Sequence, residues 1–168
     1  ADIYLNPDES DAILQSGPYG EGLVHVRGTK LYMDGALGSR GAALLAPYSD
    51  APTQGLLVTP VDALRDFLMR ARQARIQVAT HAIGDRGNRL VLDAYRDVYA
   101  DDPAALRTAR WRIEHAQVIA SEDIPRFAAQ GVIASMQPSH AISDLHFAPS
   151  RLGPNRLAGA YAWRALLD

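Results

Sequence analysis

The chain has 168 residues, 17 basic and 19 acidic side chains, a net charge of −2 and no cysteine. These counts exclude a disulfide framework, a thiolate metal site, an iron–sulfur centre and a cysteine nucleophile. The near-neutral balance leaves no basic excess with which to hold nucleic acid or an anionic membrane. No apolar run approaches the ~18 residues of a membrane span and the first residues do not form a signal peptide, so a cytoplasmic location is expected.

In chain order, residues 1–22 are rich in Asp, Pro, Gly and Ser, show weak periodicity, and read as a lead-in with one helical turn. From residue 23 the pattern is regular. Leu23 to Met33 is a mixed apolar and β-branched run, predicted as a strand. Asp34 to Thr59 carries Gly35, Gly38, Gly41, Pro47, Pro52 and Gly55 and reads as a long loop, a length that is usually functional. Thr59 as cap and Pro60 at the first helical position open a helix whose stripe is Val61, Leu64, Leu68, Ala71 and Ala74. Ile76 to His81 is a strand, and Asp85 caps a helix running to Val98. Asp101-Asp102-Pro103 reads as a break, Trp111 to Ala116 as a strand, and Ser121 as the cap of a short helix that Gly131 ends. Val132 to Met136 is a fourth strand, stopped by Gln137-Pro138. A last helix is expected over Arg156 to Leu167. Four strand–helix units in succession mean parallel strands joined by right-handed crossovers. The class is therefore α/β, either a doubly wound open sheet or part of a TIM-type (β/α)8 barrel. A whole barrel needs eight units and about 250 residues.

Parallel α/β folds place ligands at the carboxyl ends of their strands. Those ends read Lys30-Leu31-Tyr32-Met33-Asp34-Gly35, Thr80-His81-Ala82-Ile83-Gly84-Asp85, Arg112-Ile113-Glu114-His115-Ala116-Gln117 and Ser135-Met136-Gln137-Pro138-Ser139-His140. Each delivers a polar, titratable residue, and three of the five histidines are among them. His81 and His115 close successive strands and project toward one point. With no thiolate available, imidazole and oxygen ligands suit zinc or another first-row metal. Lys30 is the only lysine in a chain that otherwise uses arginine. Lysine can lose its proton when buried and arginine effectively cannot, so Lys30 can act as nucleophile, base, or an amine that carbon dioxide carboxylates. Gly35 to Gly41 lacks dinucleotide and P-loop spacing and reads as a flexible loop. Gly84-Asp85-Arg86-Gly87 fits a helix cap or an anion site equally well. Arg110, Arg112 and Glu114 read as a structural network, and no Gly-x-Ser-x-Gly elbow is present.

These four strings, in this order, resemble the amidohydrolase superfamily, in particular its YtcJ-like branch, which includes N-substituted formamide deformylases. The resemblance covers roughly residues 23–168. It implies part of a (β/α)8 barrel, strands four to seven, in a metal-dependent hydrolase of carbon–nitrogen bonds in small amide-type substrates. It also implies one or two divalent ions, zinc or another, held by Lys30 (often carboxylated in such enzymes), His81 and His115. Asp34, Asp85 and His140 would be second-shell or substrate-contacting residues. The chain departs from the family pattern in having no His-x-His and no eighth strand with its general-base aspartate, which is expected beyond residue 168. No catalytic residue is therefore assigned within the chain. The isolated polypeptide is expected to be inactive and to self-associate through the open edges of a partial barrel. A stable non-catalytic domain and a phosphate-binding half-barrel, with its anion at Gly84–Gly87 or Gly38–Gly41, are the alternatives.

Overall fold

The computed structural model describes all of residues 1–168. Strands β1 (Asp2–Leu5), β2 (Tyr19–Glu21), β3 (Val24–Tyr32), β4 (Gln77–Ala82), β5 (Arg112–His115) and β6 (Ile133–Ser135) form one sheet. Its order is β1-β3-β4-β5-β6, all parallel, with β2 antiparallel to β3. Helices α2 (Val61–Gln73), α3 (Asp85–Val98), α4 (Pro103–Ala109) and α5 (Ile124–Gln130) make the crossovers. This is the predicted α/β architecture, a sheet of the kind that closes into a TIM-type barrel.

The lead-in carries more than one helical turn. Besides α1 (Asp11–Ser16) it contributes β1 to the sheet, and it is anchored by fully buried Ile13 and by a buried Ser10–Thr29 hydroxyl pair at 2.8 Å. Helix α2 opens with Pro60 at its cap, while the Thr59 hydroxyl donates instead to the Tyr32 carbonyl at 2.6 Å. Helix α5 begins at Ile124 with Asp123, and not Ser121, at the cap position; the Asp123 carboxylate is held by Arg89 and Arg126, each at 2.7 Å. The break at Asp101-Asp102-Pro103 also starts a helix that sequence reading missed. Asp102 caps α4 by accepting the Ala105 N–H, with Pro103 at the first helical position.

The expected last helix does not form as one piece. After α6 (Pro138–Ser143), a 3₁₀ turn over Asp144–His146, and α7 (Ala148–Leu152), it divides into α8 (Pro154–Leu157) and α9 (Trp163–Leu167). Gly159 lies so close to the Ile119 carbonyl that a Cβ would approach it to 1.9 Å. The chain then turns at Tyr161, at φ 54°, to donate its N–H to the Gln117 carbonyl at 2.7 Å. Docking onto the segment that follows β5 thus overrides helical periodicity.

Alternation sorts the sheet. Leu31, Val78, Thr80, Ala82 and Ile113 are buried under the helices, while Lys30, Tyr32, His81, Arg112 and Glu114 fall at the alternate positions. The main core joins that covered face to α2 and α3 around Trp111, which is fully buried, edge-on to Tyr95 and Tyr99 at 4.9 and 5.0 Å, and donates to the Ile76 carbonyl at 3.0 Å. Trp111→Ala is expected to cost about 3–5 kcal/mol in urea unfolding; a loss below about 1 kcal/mol would contradict this packing. A second cluster, including Leu37, Leu44, Tyr48, Ile83 and Val118, packs the 34–59 loop over the carboxyl ends of the strands. Ordered by its own small core, that loop is not the flexible connector its glycines suggest.

Candidate metal centre

The centre is assembled at the carboxyl ends of β3, β4 and β5. Register places Tyr32 opposite His81 and Ala82 opposite His115. The His81 and His115 rings meet edge to face with centroids 4.7 Å apart, and His140, on α6, stacks on His115 at 5.3 Å. The three strand-end histidines singled out by sequence thus lie in one row. His115 and Ala116 both adopt left-handed backbone, at φ 75° and 42°. Two consecutive strained non-glycine residues at a strand end are a mark of functional sites, and no residue type in the sequence announces them.

Electrostatics keep the rings neutral. Burial, with the neighbouring basic groups His115 and Lys30 adding to it, pushes His81 down to about 4. Burial also lowers His115, although its hydrogen bond to Gln137 acts the other way. Lys30 is lowered to about 8 by burial, with Glu114 opposing. Its Nζ sits 3.9 Å above the Tyr32 ring and donates to the Leu31 carbonyl at 3.3 Å. Neutral imidazoles and a readily deprotonated amine are the states that metal binding and carboxylation need.

The His115 ring is also oriented. His115 Nδ1 lies 2.7 Å from Gln137 Oε1, which places the proton there and leaves Nε2 with its lone pair. His81 Nε2 is buried without a hydrogen-bond partner, with Asp34 Oδ1 at 3.5 Å. Asp34 is fixed by three backbone amides: Oδ1 accepts from Ile83 at 2.9 Å, and Oδ2 from Ala43 at 2.9 Å and Gly84 at 2.8 Å. Burial nevertheless raises it to about 6 against those three bonds. Asp34 therefore ties the 34–59 loop to the end of β4 and lies beside the His81 ring.

The other predicted residues divide. His140 faces the centre and bonds Gln117 Oε1 through Nδ1 at 3.2 Å. Asp85 makes its hydrogen bonds to the Leu45 and Arg86 amides and none to a histidine. At the start of α3, Ile83 and Gly84 donate to Asp34, and Arg86 and Gly87 to the Ala43 carbonyl. Those amides are engaged within the chain. Arg112 pairs with Glu114 at 2.6 Å as the predicted network requires, but Arg110 has no part in it. Sequence reading missed Gln137, which orients His115, and the cluster in which Gln117 and Tyr161 both donate to Asp144 Oδ2 at 2.7 Å. Asp144 and His140 line a pocket of about 280 Å³ with Leu37, Ile83 and Phe147.

No three His, Asp or Glu side chains converge as a self-sufficient metal cage. The residues fit a divalent ion as part of a larger ligand set: two adjacent neutral imidazoles, one oriented by Gln137 and one with a buried, unpartnered Nε2, and one amine.

The chain belongs to the amidohydrolase family, whose model matches residues 8–168. It is 37% identical over 160 residues to "Protein LONG AFTER FAR-RED 3" of Arabidopsis thaliana, covering 94% of this chain and 27% of that protein. It is also 37% identical over 154 residues to "Putative amidohydrolase YtcJ" of Bacillus subtilis, covering 91% and 27%. An uncharacterized metal-dependent hydrolase from Pyrococcus furiosus superposes at TM-score 0.86 with 33% identity, covering 98% of this chain and 34% of the other. Its counterpart from Pyrococcus horikoshii gives 0.85 and 32%, covering 98% and 32%. The chain thus spans about a quarter to a third of the length of the proteins it matches. No helix is long and apolar enough to cross a membrane.

Proposed function

We propose that the chain forms the metal-binding part of a hydrolase that cleaves carbon–nitrogen bonds in small, non-peptide amides. The observation that carries this reading is the contact of His81 and His115 at the ends of adjacent strands, both neutral, with His115 oriented by Gln137 and His81 Nε2 buried without a partner. His81, His115 and carboxylated Lys30 are the proposed ligands of one or two ions, with zinc the metal that suits imidazole and oxygen. A bound divalent ion would supply acidified water and a polarised carbonyl. In this reading Asp34, 3.5 Å from His81 Nε2, flanks that ring, while the Gln137 side-chain carbonyl fixes the tautomer of His115, the outer-shell support that metal-bound histidines need. His140 and Asp144 offer hydrogen bonds to substrate from the pocket beside the centre. Proton transfer to the leaving nitrogen is assigned to no side chain of this chain, and the 168-residue polypeptide alone is proposed to be inactive.

The test uses a full-length protein carrying this segment. Chelator treatment should abolish its hydrolysis of N-substituted amides, and added zinc should restore it. Full activity after metal analysis reads zero would overturn the proposal.

A further inference from the structure

At the opposite end of the sheet from His81 and His115, a cleft of about 490 Å³ is bounded by the start of β3, the start of β4 and the carboxyl ends of α2 and α4. Its charged lining is Arg27, Arg75 and Arg110, with His25 beside them and no Asp or Glu. That is an unusual concentration in a chain of net charge −2.

The use made of arginine elsewhere in the chain sets this cleft apart. Of sixteen arginines, eleven pair with a carboxylate. Arg107 and Arg156 donate to backbone carbonyls. Only Arg75, Arg86 and Arg110 make neither kind of bond, and two of these three line the same cleft. Arg27 is half-exposed and pairs with Asp2 at 3.2 Å, a contact weak enough to be shared with a ligand. Arg75 and Arg110 also occupy left-handed backbone, at φ 55° and 51°, just past α2 and at the cap of α4. Glycine is the favoured residue at such positions. Complementing the helix dipoles does not explain the choice, because Arg70 and Arg72 already serve the last turn of α2, and Arg107 that of α4.

We propose that this cleft binds an oxyanion, a phosphate or carboxylate group carried by a small molecule, through Arg75 and Arg110 with Arg27 at its rim. Planar guanidinium forks suit both groups, and their charge-assisted bonds are the strong ones. The site is independent of the metal centre.

Glycine substitution gives a test that folding does not confound, because Arg75→Gly and Arg110→Gly relieve the left-handed backbone. The 168-residue chain is titrated calorimetrically with inorganic phosphate and, separately, with succinate. Saturable binding that weakens with added salt is expected for at least one probe, and the probe that binds identifies which group the site takes. Each glycine variant should weaken it by about tenfold or more, with an unchanged or higher Tm, while His81→Ala leaves it intact. The proposal is overturned by an absence of saturable binding with both probes, or by wild-type affinity in the Arg75→Gly/Arg110→Gly double variant.

Discussion

Alanine at His81 or at His115 will leave a full-length amidohydrolase containing this segment without its metal. The two rings touch, both are driven neutral by burial, His115 has Nδ1 committed to Gln137, and His81 Nε2 is buried without a partner. Removing either leaves only one of the two proposed imidazole ligands, and no carboxylate cluster is at hand to replace it. Loss of an outer-shell partner alone costs roughly 10–100-fold in metal affinity, so loss of the ligand itself should exceed that range. Gln137→Ala, which only frees the His115 ring, should fall within it. Metal content by mass spectrometry after dialysis separates the two classes. Wild-type content in both histidine variants would show that the ligands lie elsewhere.

Asp34→Ala is expected to unfold the site and to endanger the whole chain. Its carboxylate accepts three backbone N–H groups from two separate segments, all of them buried. Each stranded donor costs about 1–3 kcal/mol, so a combined loss of about 4 kcal/mol or more is expected, against a total stability of roughly 5–15 kcal/mol for a typical domain. Asp34→Asn should lie between the extremes, because one oxygen survives while the new amide group faces an N–H donor. Gly87→Ala tests the same contact from outside, since a Cβ there would come within 2.5 Å of Asp34 Oδ2. Equilibrium urea unfolding measures all three. A loss under about 1 kcal/mol in Asp34→Ala would mean that water or another group serves those amides.

Much of this was legible in the amino-acid order, and the misses have physical reasons. Strands β3 to β5 and helices α2 and α3 are long, periodic and bounded by glycine, proline or an acid, so local and tertiary preferences agree. Helix α4 was hidden because Asp102-Pro103 signals a break and a helix start with the same two residues. The final segment misled because its periodicity is helical, while Gly159 and Tyr161 are held against the backbone after β5. The Asp34 loop was read as flexible because nothing local reveals that one carboxylate will accept amides from residues 43, 83 and 84. In the site, residue type and strand-end position were enough to expect His81, His115 and His140 side by side, as the structure places them; metal binding by His81, His115 and Lys30 is proposed. Asp85 accepts from the Leu45 and Arg86 amides. Gln137, Asp144 and Tyr161 carry no such signal, because their parts depend on contacts across 17 to 44 residues of chain.

Three consecutive strands of this segment are proposed to supply the metal ligands. The decisive experiment is anomalous diffraction from a crystal of a full-length protein carrying it, recorded at the absorption edge of the metal found by analysis. The expected result is a peak bonded to one nitrogen of His81 and one of His115, with electron density for a carbamate on Lys30 Nζ reaching it. A stoichiometric metal whose peak touches neither histidine would contradict it.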